Sequence, residues 1–213
     1  MTAIEKAARL AARAFLHTAS YTAIYHGMLE SQREEELIWM FERNLELVDD
    51  RHLRYFFKDE AKSDLECFYM LIPSCEAAIS LWKKISGGIL KLIFRDGGLS
   101  VLQRLIEISD WMDAEIASCV KAGVEYLTLQ RMVVSPESQG KGIGTKSLSL
   151  GIRDADSKCM PIVLSTQDER NVKFYSRLGF VEFKRKTFKD SKNPDISFMS
   201  IFMVREPKKL TLC

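Results

Sequence analysis

The run Val134-Ser135-Pro136-Glu137-Ser138-Gln139-Gly140-Lys141-Gly142-Ile143-Gly144-Thr145-Lys146-Ser147-Leu148 decides how this chain is read. Upstream, Tyr126 to Val134 has the composition of a strand; downstream, Thr145 to Ser157 has helical spacing. The run therefore leaves a strand, turns, and opens a helix. Glycines at 140, 142 and 144 remove Cβ atoms where backbone can approach a ligand. Amides in the first turn of a helix have no acceptor within it, and the helix dipole favours negative charge there. On physical grounds this is a phosphate cradle. Three loop patterns compete for it. A P-loop, G-x-x-x-x-G-K-[ST] from Gly140, needs glycine at 145; Thr145 stands there, although Lys146-Ser147 fit. The dinucleotide fingerprint G-x-G-x-x-G fails at the same position. The third, [QR]-x-x-G-x-[GA], is met at every place by Gln139, Gly142 and Gly144, with Val134-x-Pro136 ahead of it.

Further along, Asn171-Val-Lys-Phe-Tyr175-Ser-Arg-Leu-Gly179-Phe180 reads as a helix bearing a tyrosine, followed by x-x-Gly-Phe. The interval between the two signatures holds one helix and one short strand, Pro161 to Thr166. With both in this order, residues 124–204 resemble the GNAT superfamily of acyl-CoA-dependent N-acyltransferases. The resemblance implies an α/β fold with a mixed, largely antiparallel sheet of about six strands and helices on both faces. It implies one GNAT-like domain over residues 1–213. It implies acetyl transfer from acetyl-CoA, a cosubstrate, to a primary amine by direct attack in a ternary complex, with no metal. The amides of Gln139, Gly140, Lys141, Gly142, Ile143, Gly144 and Thr145 would hold the pyrophosphate. The strand edge at Met132, Val133 and Val134 would bond the pantetheine amides, as an added strand does. A bulge in that strand would free an amide for the oxyanion. Tyr175 would donate a proton or hydrogen bond to the departing thiolate.

The sequence also departs from the pattern of its relatives. Where many carry an asparagine, seven residues before the helix tyrosine, this chain has Asp168. Asn171, one turn before Tyr175, is the candidate to take over part of that role. Where some carry a glutamate base in the strand, this chain has Thr128. A base from elsewhere, or an amine that arrives neutral, must replace it. Glu115 and Glu125 are available carboxylates, neither an evident base. The family's usual first strand is missing. Residues 74–122 form a helical insertion before the cofactor strand.

The remaining segments read as a helix over residues 3–17, with Ile4, Ala7, Ala8, Ala11 and Phe15 on one face, and a second helix capped by Ser31 with a Leu37, Ile38, Phe41, Leu45, Val48 stripe. His52 to Phe57 and Leu65 to Ile72 read as a hairpin stopped by Pro73. The insertion carries two stripes, one through Ala77, Ala78, Leu81, Trp82 and Ile85, and one from Leu99 to Ile116 interrupted at most briefly near Asp110. Gly87-Gly88 and Gly97-Gly98 break it, and Gly123 is expected as its C-cap. Phe180 to Lys186 and Ile196 to Val204 complete the strands.

The 213 residues carry 31 Lys+Arg and 29 Asp+Glu, a net charge of +2, which gives no footprint for nucleic acid. The longest stretch without formal charge, Ala14 to Leu29, is too polar and short to span a bilayer. Neither a secretory layout nor a membrane partner is expected, and the address expected is the cytoplasm, with the nucleus open. Five scattered cysteines, among them Cys213 as a tail thiol, and three histidines without ligand spacing argue against a disulfide framework or a metal site. The cluster Lys184, Arg185, Lys186, Lys189, Lys192 reads as a solvated strand end and loop. The expected partners are acetyl-CoA and an amine, in a monomer or homodimer. A rival reading is a catalytically weak acyl-CoA-binding sensor, which Thr128 favours; a P-loop nucleotide binder is disfavoured by Thr145.

Overall fold

A computed structural model describes residues 1–59, 61, 64–77, 95 and 98–208. The expected stripe through Ala78, Leu81, Trp82 and Ile85, the breaks at Gly87, Gly88 and Gly97, and Cys213 lie outside the described residues. The chain divides into two compact units. The first comprises Met1–Asp50, Ile79–Ala114 and Thr187–Ser200; the second comprises Arg51–Ala78, Glu115–Lys186 and Ile201–Cys213. In chain order the elements are α1 (Ala3–Phe15), α2 (Ala19–Ile24), α3 (Glu30–Leu47), β1 (Leu53–Phe57), β2 (Leu65–Pro73), α4 (Ser74–Ala77), α5 (Gly98–Ala117) and β3 (Leu127–Val134). There follow α6 (Ile143–Ser157), β4 (Ile162–Thr166), α7 (Glu169–Arg177), β5 (Val181–Lys189) and β6 (Ser197–Arg205).

The strands form one six-stranded sheet in the order β1-β2-β3-β4-β6-β5. It is mixed and mostly antiparallel: β3 and β4 run parallel, while β1–β2, β2–β3 and β4–β6 are antiparallel. Alternation puts Cys67, Tyr69 and Leu71 of β2 on one face, joined by Leu127 and Leu129, Ile162 and Leu164, and Ile201 and Met203. Leu148, Ile152 and Ala155 of α6 cover that face at helical spacing. The helix sits close because of Gly151. A Cβ there would lie 2.6 Å from Leu71 Cδ1 and 2.9 Å from Tyr69 Oη. Tyr69 Oη in turn donates to the Ser147 carbonyl at 2.9 Å. At the other end of α6, Arg205 donates to both carboxylate oxygens of Asp156 at 2.7 and 2.8 Å and to the Leu178 carbonyl at 3.2 Å.

In the first unit, Thr2 and Glu5 form a reciprocal cap on α1 at 2.9 and 3.2 Å. Ala7, Ala8, Ala11 and Ala12 are fully buried, and small residues there let α1 and α3 pack closely. Three local readings change. Helix α3 starts two residues early, so Ser31 lies inside it; Leu29 is the N-cap, and its N–H donates to Gln32 Oε1 at 3.3 Å. The short helix α2 carries no strong periodic signal and was not read from the sequence. Helix α5 runs unbroken through Asp110, within the expectation of at most a brief interruption. It also ends at Ala117, so Gly123, at φ +82°, serves the later turn in which Val124 N–H donates to Lys121 O.

Candidate active site

The end of β3 departs from a regular ladder in two ways. First, Phe68 pairs with Val133 and Met70 with Gln130, so Tyr69 alone faces both Arg131 and Met132. That is a β-bulge, and Arg131 takes φ 50°, a region that residues with a Cβ seldom enter. Second, β3 pairs with β4 only at Leu127↔Ile162 and Thr128↔Val163. From Leu164 to Thr166, β4 pairs on its other side with Met203, Phe202 and Ile201 of β6. The two parallel strands thus part after Thr128, with no ladder between Leu129–Val134 and Leu164–Thr166. An opening of this kind leaves strand edges free to receive an extended guest. Met132 and Val134 are half-buried against the core, and Val133 is buried.

Beyond β3 the chain is pinned before it becomes glycine-rich. Ser135 N–H donates to Glu66 O at 2.7 Å, and Ser138 Oγ to Glu66 Oε1 at 3.0 Å. Gln139 spans the turn, its Nε2 donating to Val134 O at 3.1 Å; its own amide is engaged with Pro136 O at 3.3 Å. Gly140 and Gly142 then adopt φ +73° and +77°, left-handed values that suit glycine. A Cβ at either would meet nothing within 4 Å, so the space before them is open. Gly142 is the N-cap of α6, and the first bond of the helix runs from Lys146 N–H to Gly142 O at 2.9 Å. The amides of Ile143, Gly144 and Thr145 precede that ladder. Gly144 is buried, and a Cβ there would lie 3.1 Å from Val134 Cγ2. Its lack of a side chain is what lets the helix start come down onto the end of β3. Ile143 is half-buried, while Lys141 and Thr145 are exposed.

Helix α7 supplies the other candidates. Asp168 is its N-cap: Oδ1 accepts the Arg170 N–H at 2.8 Å, and Oδ2 meets Arg170 Nη2 at 2.7 Å. Bonds from the Arg170 side chain, then from its backbone, hold the Asp168 carboxyl below its usual range. Asn171 Nδ2 donates to Thr166 Oγ1 at 3.2 Å, tying the helix to the end of β4. Tyr175 is buried, its ring edge-on to Phe174 and Phe180 at centroid distances of 5.1 and 5.6 Å. Burial pushes its hydroxyl well above the ordinary value of 10, with a smaller contribution from Cys67. Among the described residues that hydroxyl makes no hydrogen bond. It is therefore protonated at neutral pH and holds a donor in reserve. Burial also pushes the Cys67 thiol up to about 12, so it carries no thiolate for nucleophilic work.

Thr128 is buried and offers no carboxylate. Glu115 is committed to Lys184, Oε2 to Nζ at 2.5 Å, and Glu125 is exposed. The basic cluster is engaged more than its sequence suggests. Lys184 also donates to Ser118, Arg185 is clamped between Glu169 and Glu182, and Lys192 donates to Gln103; Lys186 and Lys189 are exposed. Two contributors escaped the sequence reading. Glu66 lies 72 residues from the Ser138 it holds, and Arg131 has no residue-type signal for a bulge.

The comparisons with known proteins agree with this geometry. A family model described as an acetyltransferase (GNAT) domain matches residues 108–182, which span the bulged strand, the glycine loop and the tyrosine helix. Among solved structures, the chain is similar to the polyamine N-acetyltransferase of Drosophila melanogaster (13% identity, 97% of each chain, TM-score 0.58). It is similar to a mosquito arylalkylamine N-acetyltransferase-like 5b protein (13% identity, 92% of each chain, TM-score 0.54). A third is a Corynebacterium glutamicum protein described as histone acetyltransferase HPA2 and related acetyltransferase (16% identity, 88% of this chain and 82% of that one, TM-score 0.55). The fold is the GNAT fold, and the resemblance read from the two signatures is supported at the level of the GNAT family. Among the described residues no helix is long and apolar enough to cross a membrane, and no group of three or more His, Cys, Asp or Glu could hold a metal.

Proposed function

We propose that this protein is an N-acetyltransferase that moves an acetyl group from acetyl-CoA to a primary amine by direct attack in a ternary complex. The observation that carries the reading is the parting of β3 and β4 after Thr128, directly ahead of the Gly140–Thr145 cradle. The residues present fit the cosubstrate. The open space at Gly140 and Gly142 and the unladdered amides of Ile143, Gly144 and Thr145 suit a pyrophosphate. The edge at Met132, Val133 and Val134 suits the amide-bearing arm. Acetyl-CoA supplies an activated thioester; the chain supplies position and hydrogen bonds. The bulge at Arg131–Met132 turns backbone out of the ladder, and an amide there would stabilise developing negative charge. Tyr175 would give its unused hydroxyl hydrogen bond to the leaving sulfur. Asn171 would steady the end of β4 from α7. With Thr128 in the strand and Glu115 paired to Lys184, the amine itself would arrive neutral.

The whole chain would act as a single GNAT-like domain, with the two compact units as its parts. The similarity to a polyamine N-acetyltransferase and to an arylalkylamine N-acetyltransferase-like protein makes polyamines and arylalkylamines the first acceptors to try. The test is free-thiol release from acetyl-CoA in the presence of a primary-amine panel. Amine-dependent turnover is expected, with kcat/KM rising with pH until the amine's own pKa. Saturable acetyl-CoA binding without turnover on any amine would overturn the enzyme in favour of a sensor.

A further inference from the structure

The first unit holds a cleft of ≈ 180 Å³. It is walled by α5, by the Asp190–Ile196 connection, and by His26 just past the end of α2. Four charged side chains line it: Arg104, Lys192, Glu107 and Asp190. Each is fixed by neutral groups. Arg104 Nη1 donates to the carbonyls of Ala23 and Ile24 at 3.1 and 2.8 Å, at the end of α2, where Ala23 O also accepts the His26 N–H at 3.3 Å. Lys192 Nζ donates to Gln103 Oε1 at 2.7 Å. Glu107 accepts the Ser191 N–H at 3.0 Å and the Ser191 hydroxyl at 3.2 Å. Asp190 is only 6% exposed, and its Oδ1 accepts the amides of Lys192 and Asn193 at 2.8 Å each. Its Oδ2 has no donor among the described residues.

The two cations and two carboxylates thus share one cleft, yet among the described residues no ion pair joins them. Side chains of opposite charge that are free to move collapse onto each other. These are held apart by the end of α2, by Gln103 and by the turn at Asp190. Charges kept separate in a partly desolvated cleft favour a guest that carries both signs itself. A guest with one charge satisfies one pole and leaves the other uncompensated.

We propose that this cleft binds a small free α-amino acid, its carboxylate on Arg104 and Lys192 and its ammonium on Asp190 and Glu107. The inference goes beyond the acetyl-transfer reading and does not rest on it. Calorimetric titration of the full chain, without acetyl-CoA, tests it with glycine and L-alanine as probes. Saturable binding is expected for both. Alaninamide and N-acetylalanine, each lacking one charge, should bind about tenfold more weakly or worse. Glu107→Gln and Lys192→Ala should weaken L-alanine by about tenfold with an unchanged melting temperature; both spare Arg104, whose loss would release the end of α2. No saturable binding of either amino acid, alaninamide binding as tightly as L-alanine, or both variants binding like the parent would overturn the site.

Discussion

The Gly140–Thr145 loop of the second unit and the Glu36–Arg95 pair of the first both place charge recognition in the fold, by opposite means. In the loop the recognising groups are backbone amides. Their positions follow from two left-handed glycines and the start of α6, all within a few residues. In the first unit the groups are side chains. Glu36 is 4% exposed and takes both its bonds, at 2.9 and 2.8 Å, from the Nε of an arginine 59 residues away. Arg95 also lies over the Trp39 ring, 4.8 Å from its centroid. Burial raises the nearby Tyr25 hydroxyl above its usual range, with Tyr21 and Glu36 adding to the rise and Arg95 opposing it. A site made of backbone is written in one short motif. A site made of side chains is written wherever the tertiary fold gathers it.

The largest expected effect breaks the first half of that comparison. Gly142→Asp puts a negative charge where the amides and helix dipole favour an anion; no atom stands in its way, and the left-handed φ of +77° costs an aspartate about 1 kcal/mol, little enough for the fold to survive. Acetyl-CoA at 100-fold its Kd should stabilise the parent by about 2.7 kcal/mol, and this variant hardly at all. A well-folded variant whose melting temperature still rises with acetyl-CoA as the parent's does sinks the cradle. The next effect concerns the second half. Glu36→Ala strips the carboxylate from a half-buried arginine and should cost about 3 kcal/mol in urea unfolding, with the acetyl-CoA Kd unchanged. A loss under about 1 kcal/mol would mean the pair is no better than a surface one.

The same contrast explains what the sequence revealed. Every strand was legible to within a few residues, because short apolar runs such as Leu65–Pro73 end at turn residues or proline. The glycine loop and the Tyr175 helix were legible because their geometry needs particular residues at fixed spacing. Helix α2 was not, since six residues between Thr18 and Tyr25 carry too few turns for a period to show. Ser31 misled because a good capping residue does not cap when the helix has already begun at Glu30. The bulge at Arg131 was expected only from the family resemblance. No glycine marks it, and the register offset across Tyr69 is a property of two strands together. The charged cleft at Arg104 and Asp190 combines residues more than 80 positions apart and leaves no local trace.

Tyr175→Phe sharpens the comparison from the catalytic side. If the hydroxyl serves the leaving sulfur in the transition state, its loss should lower kcat by about 100-fold, near 2.7 kcal/mol, with the acetyl-CoA Kd unchanged. The ring packing with Phe174 and Phe180 is kept, and the hydroxyl has no hydrogen bond to lose among the described residues. Stability should therefore stay within about 0.5 kcal/mol of the parent, less than a lost hydrogen bond costs. Parent-like kcat, measured where chemistry limits the rate, would leave Tyr175 as packing alone.

The smallest expected effect is at Asp168, where many relatives carry asparagine. Here the carboxylate caps α7 and holds Arg170. Asparagine caps a helix about as well as aspartate, so Asp168→Asn should change stability at neutral pH by under about 0.5 kcal/mol. The difference should appear in acid. Because the folded carboxyl is held below its ordinary 3.8, its contribution is present above that value and lost as pH falls through the lower, folded one. Asparagine does not titrate, so the variant should lose less stability than the parent on acidification below about pH 4. The gain is modest, since the Asp168 side chain is 37% exposed and the pair is screened by water. Turnover should not change if Asn171 holds the end of β4 without help from Asp168. A fall in kcat of tenfold or more in Asp168→Asn, with the cap intact by unfolding, would show that the carboxylate acts in the chemistry as well as at the helix end.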